Sequence, residues 1–160
     1  MKSTKISDVG EFGLIERLKK TVKNYNNLTI KGIGDDGAVI KGQKNKEIVI
    51  SSDILFEGVH FDTSYMSLSH IGYKSMIVNL SDLYAMNTTP SQVTVSLGIS
   101  SKYSVEDIEE LYSGINKAAK NYCINIVGGD ISSSYAGLVI NITVLGFQEK
   151  NKIVYRDGAK

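Results

Sequence analysis

The residues of this sequence that could carry chemistry are acids placed beside glycines or after predicted strands. Asp36 lies in the glycine-rich segment GIGDDG, Asp53 follows the apolar segment EIVISS, and Asp130 follows a pair of glycines. Turns and strand ends are where α/β folds assemble ligand sites. Carboxylates gathered there could hold Mg²⁺, which prefers oxygen ligands, and glycines let backbone N–H groups approach phosphate oxygens.

Each acid also has an ordinary structural explanation when it is taken alone. The Asp35-Asp36 pair between glycines is common turn chemistry. Asp53 could be simple polarity at a strand end, and the two glycines before Asp130 could form another turn. Several such sites in one small chain favour metal-dependent phosphate chemistry, although the sequence contains no Walker A motif and no kinase-type glycine loop.

Asp82 differs from the other acids because it lies inside a predicted apolar helix, beside Asn79. An ionised carboxylate in apolar surroundings costs on the order of several kcal/mol unless something pairs with it. No Lys or Arg stands three or four residues away. Asp82 therefore faces solvent, caps a neighbouring backbone group, or binds a hard cation.

Three further side chains leave two interpretations open. His60, in the segment EGVHFD, is either structural or a donor to an anionic substrate. Tyr112 either packs in the core or touches a base. Cys123, the single cysteine, lies in an apolar run and is predicted to be a small core side chain, with a reactive thiol as the alternative.

Hydrophobic periodicity predicts the elements that would position these residues. A capping-box-like start at Ser104 and Asp107 marks the third helix. The order β-α-β-α-β-β predicts an α/β (α+β) fold with helices on one face of the sheet. The predicted helices are 9–23, 67–87 and 104–121, and the predicted strands are 47–52, 92–99, 123–127 and 138–147.

Composition excludes several classes of protein. The chain has 160 residues, 42% hydrophobic and 22% charged, with a formal net charge of +1, which is the balance of one soluble globular domain. Such a charge gives no electrostatic case for nucleic acid or a membrane surface. The N-terminus has no apolar signal region and no apolar stretch is long enough to span a bilayer, so we expect a cytoplasmic protein.

Six ordered segments resemble the N-terminal domain of the thiamine-monophosphate kinases, members of the aminoimidazole ribonucleotide synthetase-like (PurM-like) superfamily. They run in the family's order and with similar spacing across essentially the whole chain. These segments are EF with LI near the start, GIGDDGAV (32–39), SSDILFEGVHFD (51–62), VNLSDLYAMNTTP (78–90), IVGGD (126–130) and YRDGA (155–159).

The resemblance implies a role for each matching residue. It implies transfer of the γ-phosphoryl group of ATP to thiamine monophosphate, with thiamine diphosphate as product and no residue acting as a catalytic base. His60 would contact the thiamine phosphate. The Mg²⁺ ligands would be Asp36, Ser51, Ser52, Asp53, Asp82 and Asp130, and the ATP contacts would be Gly129, Asp130, Arg156 and Tyr112.

The resemblance also implies an architecture. Residues 1–160 would form an ATP-binding, PurM N-terminal-like domain: a mixed four-stranded sheet with helices on one face, pairing across a homodimer into a barrel-like core. A C-terminal domain would complete the site. Two alternatives stay open, namely a sister ATP-dependent synthetase or dehydratase of the superfamily, and an inactive nucleotide-binding dimerisation module.

Overall fold

The computed structural model describes residues 4–34 and 38–158 of the chain. Its helices are α1 (Ile6–Lys19), α2 (Leu68–Ala85) and α3 (Val105–Tyr122). Its strands are β1 (Thr29–Lys31), β2 (Val39–Ile40), β3 (Glu47–Phe56), β4 (Thr89–Ile99), β5 (Asn125–Ser133) and β6 (Val139–Gln148). Two short 3-10 turns follow, at Lys150–Lys152 and Arg156–Gly158.

The main sheet has four strands in the order β3-β6-β4-β5. Strands β4 and β5 run parallel, whereas β6 is antiparallel to both β3 and β4. Strands β1 and β2 form a separate two-stranded ribbon. The sheet is therefore mixed, and the element order from β3 to β6 confirms the predicted β-α-β-α-β-β arrangement.

Helices α2 and α3 cover one face of this sheet. Alternate residues of β6 show the consequence, because Ile140, Ile142 and Val144 are fully buried while Asn141 and Thr143 between them are only half-buried. Side chains alternate across a strand, so the second set faces away from the helices. The core lies between the sheet and the helix layer, and the prediction of helices on one face is confirmed.

The two covering helices approach each other closely. A Cβ atom on Gly114 of α3 would lie 1.8 Å from the carbonyl oxygen of Ser69 on α2. Only glycine permits that contact. Helix α3 begins with the predicted capping box, in which the side chains of Ser104 and Asp107 accept hydrogen bonds from each other's backbone N–H groups. The close approach of the two helices therefore depends on glycine at position 114, and the capping box fixes where α3 begins.

Three strands extend beyond their predicted bounds by three or more residues, and one of them is β4, which begins at Thr89 instead of residue 92. Strand β3 continues to Phe56, so Asp53 lies within a strand and not after one. Strand β5 continues to Ser133, so Gly129 and Asp130 lie within an edge strand and not in a turn after it. The expected turn at the glycines is instead an irregularity of the β4–β5 ladder, whose register shifts at Val93. Glycines there mark a bulge, which periodicity alone does not distinguish from a turn.

Two other sequence predictions are wrong. Helix α1 spans Ile6–Lys19 instead of 9–23, with a kink at Gly10, where φ is 68°. Cys123 is exposed and ends α3 in the left-handed conformation, so it is not a core residue. The buried run that leads into β5 begins only at Ile124, one residue after Cys123. Within residues 4–34 and 38–158, no helix combines the length and the apolarity needed to cross a membrane.

Candidate functional site

One group of predicted residues lies where β3 passes α2. The hydroxyl of Ser51 donates a hydrogen bond to Oδ2 of Asp82, at 2.6 Å. Two residues later, the backbone N–H of Asp53 donates to Oδ1 of Asn79, at 2.9 Å. Because β3 is an edge strand, the backbone N–H of Asp53 that points away from the sheet has no partner strand, and the side chain of Asn79 accepts its hydrogen bond instead. Ser51, Asp53 and Asp82 are thereby brought to one junction.

Asp82 is half-buried, and its partner is a hydroxyl. None of the ion pairs within residues 4–34 and 38–158 involves Asp82. Neighbouring Asn79 is fully buried and is held by its own hydrogen bond to the carbonyl of Ser75, at 2.9 Å. A carboxylate that is partly removed from water and has no cationic partner is a group that a bound metal ion would suit.

Ser52 lies on the opposite face of the sheet from Ser51. Its hydroxyl is 2.9 Å from the hydroxyl of Thr143 and accepts a hydrogen bond from Asn141 at 3.1 Å. This follows from strand alternation. Of the two serines, Ser51 alone directs its hydroxyl to the Asp82 side, so only the backbone carbonyl of Ser52 could join a site there.

A second group lies on β5, at the other edge of the sheet. Asp130 is exposed and pairs in register with Ser96 of β4. Two strands separate β5 from β3, so three strand spacings, about 14 Å, lie between their axes. Asp53 and Asp130 therefore do not share one metal ion within a single sheet, and the predicted ligand set divides into two groups.

Gly129 lets β5 approach its neighbour unusually closely. A Cβ atom there would lie 1.8 Å from the carbonyl oxygen of Val95. Beside it is a small hollow of about 60 Å³, whose walls include Ile15, Tyr112 and Asp130. Tyr112 is 6% exposed, and its burial raises the pKa of its phenol above the ordinary value. This hollow combines an apolar wall, accessible backbone and a carboxylate, but it is smaller than the roughly 300–1,000 Å³ of a ligand pocket. A wider groove of about 620 Å³, whose walls include Ile15, Gly128 and Gly129, lies beside it.

His60 lies on an exposed turn just after β3. Its Nδ1 accepts a hydrogen bond from the backbone N–H of Phe56 at 3.0 Å, and its carbonyl accepts one from the ammonium of Lys74 at 2.6 Å. When Nδ1 is an acceptor, the neutral ring carries its hydrogen on Nε2. The ring can then offer Nε2–H as a donor to an anion.

Among the described residues, the structure joins Arg156 to neither of these groups, and it does not describe Asp36. Arg156 is exposed in the last 3-10 turn, and in the described part of the chain no hydrogen bond or ion pair joins it to another predicted site residue. Asp36 falls outside the described residues. Within 4–34 and 38–158 no three His, Cys, Asp or Glu side chains come together as a metal cluster.

Sequence reasoning missed three residues that organise the site. Asn79 supports β3, Lys74 holds the His60 carbonyl, and Glu57 accepts several hydrogen bonds beside the same turn. Glu57 and His60 belong to one sequence segment, EGVHFD, which was the available signal. Asn79 had a weaker signal as a polar residue near Asp82 in an apolar helix.

Comparison with known proteins shows the family to which the chain belongs. The profile of the family described as AIR synthase related protein, N-terminal domain, matches residues 34–148. The thiamine-monophosphate kinase of Bacillus subtilis (strain 168) is 36% identical over 150 residues, covering 94% of this chain and 46% of that protein. The corresponding protein of Rhodopirellula baltica is 41% identical over 126 residues, covering 74% of this chain and 40% of that protein.

Solved structures give the same relation. The crystal structure of thiamine-monophosphate kinase from Stenotrophomonas maltophilia K279a superposes with a TM-score of 0.78 at 32% identity, over 95% of this chain and 46% of that one. A structure described as AaThiL complexed with AMPPCP and TMP gives a TM-score of 0.68 at 34% identity, over 100% of this chain and 48% of that one. A hydrogenase maturation protein HypE, at 19% identity and a TM-score of 0.67, shares the fold.

The chain spans about half the length of the curated relatives it matches. Its matched segment includes Asp53, Asp82 and Asp130, the acids that the structure places at the two edges of the sheet. This chain belongs to the AIR synthase related protein family, through the family's N-terminal domain.

Proposed function

We propose that this chain is the ATP-binding half of an enzyme that phosphorylates thiamine monophosphate to thiamine diphosphate, using ATP and Mg²⁺. The observation that carries the proposal is the junction of β3 and α2, where half-buried Asp82 has a serine hydroxyl as partner and Asp53 lies on the same strand face as that serine. Its support is the 36% identity to a thiamine-monophosphate kinase over 94% of the chain.

The nucleotide is proposed to lie along β5. Gly129 has no side chain, so a ligand can reach the backbone there. Tyr112 and Ile15 form an apolar wall for the base, and the exposed carboxylate of Asp130 lies beside them. Arg156 would contact the phosphates. One solved relative, AaThiL, is complexed with both AMPPCP and TMP, which supports a site for a nucleotide beside a second phosphate ligand.

Mg²⁺ is proposed to bind to carboxylates at both edges of the sheet. Asp53, Asp82 and the Ser51 hydroxyl would serve the β3 edge, Asp130 the β5 edge, and Asp36 would complete the set, with Ser52 contributing its carbonyl. These oxygen donors fit a hard cation, and their excess of negative charge needs one. Bound Mg²⁺ neutralises phosphate charge, which lets two anions approach each other.

The acceptor phosphate is proposed to bind at the His60 turn. The exposed ring offers Nε2–H to a phosphate oxygen while Phe56 fixes Nδ1. Because the attacking atom is already a phosphate oxyanion, no side chain has to remove a proton. The contribution of the protein is then to position the two substrates and to complement their charge.

A homodimer is proposed to cover the sheet face that α2 and α3 leave open. Along β3 this face presents Ile48, Ile50, Ile54 and Phe56, which are 56%, 60%, 47% and 41% exposed. A row of this kind is unusual on the free surface of a protein. A second sheet packed on it would bury these side chains and produce the barrel-like core implied by the resemblance.

The dimer is tested by substitution of one exposed isoleucine. Ile50→Lys should convert the protein to a monomer in analytical ultracentrifugation at micromolar concentration, because a charge would be buried in the interface. Ile30→Lys is the matched control, since Ile30 is 62% exposed but lies on β1, outside the four-stranded sheet. A wild-type protein that sediments as a monomer contradicts the dimer.

The function is tested by incubating the full-length protein with ATP, Mg²⁺ and thiamine monophosphate, and by measuring thiamine diphosphate. Aminoimidazole precursor and selenide are the control substrates. We expect the protein to convert thiamine monophosphate and neither of the control substrates. Conversion of a control substrate instead would assign the chain to a sister reaction, and ATP binding without any conversion would favour a binding module.

A further inference from the structure

The carboxylate of Glu57 is the most densely hydrogen-bonded acid of the described residues. It accepts from the hydroxyl of Tyr103 at 2.8 Å, the backbone N–H of Leu138 at 2.8 Å and the hydroxyl of Thr63 at 3.1 Å, and it forms an ion pair with Lys102. Its side chain is only 14% exposed. A carboxylate can accept about four such bonds, so Glu57 is fully satisfied by the protein itself.

These donors come from three separate segments. Thr63 precedes α2, Lys102 and Tyr103 lie in the β4–α3 connection, and Leu138 directly precedes β6. The backbone N–H of Glu57 also donates to the carbonyl of Leu138, at 3.0 Å. One side chain thus fixes the end of β3 to three other parts of the fold.

The turn that carries His60, residues 56–61, begins at the end of β3, which the contacts of Glu57 hold in place. The backbone N–H of His60 returns to the carbonyl of Phe56 at 2.9 Å, and the N–H of Gly58 donates to the carbonyl of Phe61 at 2.8 Å. The Nδ1 atom of the His60 imidazole accepts a hydrogen bond from the backbone N–H of Phe56. Any movement of residues 56 and 57 therefore moves the ring and alters the bond to Nδ1.

The carboxyl of Glu57 stays ionised at neutral pH, so its hydrogen bonds are permanent there. Desolvation acts to raise its pKa, but the hydrogen bonds from Lys102, Tyr103, Leu138 and Thr63 outweigh that effect and lower the pKa to about 2. The group is ionised throughout the neutral range. Asp62, at the end of the same segment, also has a lowered pKa, because it accepts hydrogen bonds from Ser64.

We propose that Glu57 is a positioning residue, which holds the His60 turn so that Nε2–H points outward to the phosphate of the acceptor. The inference deepens the proposed function and rests on it for the identity of the acceptor. Glu57 does not touch the substrate. Its loss should therefore affect binding of the acceptor through His60 and leave the nucleotide at β5 unaffected.

The first test does not depend on the substrate. Long-range ¹H–¹⁵N correlation spectra of the two histidine rings, His60 and His70, report which nitrogen carries the hydrogen. In the wild-type chain the His60 ring should be in the Nε2–H form at neutral to mildly alkaline pH. Glu57→Gln should give a mixture of tautomers at His60 and no change at His70.

A matched control separates positioning from general destabilisation. Glu106 also has a pKa lowered to about 2, mainly by hydrogen bonds from Thr4, but it lies at the start of α3. Glu106→Gln should leave the His60 signal unchanged. If Glu57→Gln does not fold, Tyr103→Phe removes a single donor to the same carboxylate and should produce a smaller shift in the same direction.

The second test is a double-mutant cycle in the full-length enzyme. Glu57→Gln should raise KM for thiamine monophosphate about tenfold and leave KM for ATP within about twofold. In a His60→Ala background the same substitution should change KM for the acceptor by less than about twofold, because the residue it acts through is gone.

Each outcome bears on one claim. Equal effects of Glu57→Gln with and without His60, or an unchanged His60 ring, would overturn the positioning role. If the tautomer shifts as expected while the wild-type enzyme does not phosphorylate thiamine monophosphate, the proposed substrate is wrong and the positioning role stands. A loss of ATP affinity equal to the loss of acceptor affinity also contradicts the proposal.

Discussion

The two edges of the main sheet carry the same kind of residue in different surroundings. At the β3 edge, the polar groups bond to the protein: Ser51 bonds to Asp82, and Asn79 accepts from the backbone of Asp53. At the β5 edge, Asp130 is exposed, and within residues 4–34 and 38–158 its side chain takes part in no hydrogen bond or ion pair. One edge is organised in advance and the other is open.

This difference follows from what covers each edge. Helix α2 lies beside β3 and supplies buried Asn79 and half-buried Asp82, so the strand edge is bonded and its acid partly desolvated. At β5 the closest approach is backbone to backbone, through Gly129, with a hollow beside it. A preorganised edge suits metal and acceptor binding, whereas an open edge with accessible backbone suits a ligand as large as a nucleotide.

Asp82→Asn tests the preorganised edge and should have the largest effect. An amide oxygen can still accept from Ser51, so the fold should be kept, but the loss of a charge should lower turnover of the full-length enzyme at least about 100-fold. Circular dichroism measures whether the fold is kept, and steady-state kinetics at varied Mg²⁺ concentration measure the turnover. Asp8→Asn, at an exposed acid in α1, is the control; an unchanged rate in Asp82→Asn removes the metal role.

Gly129→Ala tests the open edge. The new methyl would meet the carbonyl oxygen of Val95, so β5 must move, and we expect a loss of about 3 kcal/mol in the free energy of unfolding. Gly128→Ala is a matched control, because its nearest contact would be the methyl of Thr94 at 3.7 Å. Urea unfolding of the two variants measures the difference. Equal stabilities would contradict the close approach of β5 to β4.

The free energy of unfolding should depend on pH through the carboxyl of Glu57, at the end of β3. Its pKa is lowered from 4.5 to about 2, so its contribution to stability is present above pH 4.5 and is lost as the pH falls towards 2. Glu57→Gln should therefore cost about 2 kcal/mol at neutral pH and much less near pH 3. Urea unfolding at both pH values gives the comparison; a cost independent of pH would show that the charge does not matter.

Tyr112→Phe should have the smallest effect. Burial raises the pKa of the phenol, so the hydroxyl stays neutral at physiological pH and the ring supplies an apolar wall. The substitution keeps that wall, and affinity for ATP should stay within about threefold of wild type. Isothermal titration with a non-hydrolysable ATP analogue measures it. A loss of tenfold or more would mean that the hydroxyl itself binds the nucleotide.

Much of this fold could be predicted from local sequence. The capping box at Ser104 and Asp107, the strong alternation of β6 and the apolar pattern of α2 identified elements whose order predicted a sheet with helices on one face. The family resemblance, and not this order, implied that the sheet is mixed. The failures have physical causes. Glycines in β5 resemble a turn until β4 is known to lie against them, and Cys123 looks apolar although the chain turns there in a left-handed conformation.

The candidate site was less predictable than the fold. Sequence spacing could not show that Asp53 and Asp130 lie on opposite edges, because strand order depends on long-range pairing. The predicted strand 47–52 already contains both Ser51 and Ser52, so alternation places them on opposite faces, but the sequence could not show which of the two faces Asp82. Glu57 lies three residues before His60 in the sequence, but its hydrogen-bond partners lie 6, 45, 46 and 81 residues away.

The division of labour between the two edges is tested most directly by measuring two affinities in two variants of the full-length protein. Equilibrium titrations of Mg²⁺ with AMPPCP, and of thiamine monophosphate, would be made with Asp130→Asn and with His60→Ala. We predict that Asp130→Asn weakens nucleotide binding and spares the acceptor, and that His60→Ala does the reverse. Equal losses of both ligands in both variants would contradict a nucleotide edge at β5 and an acceptor edge at β3.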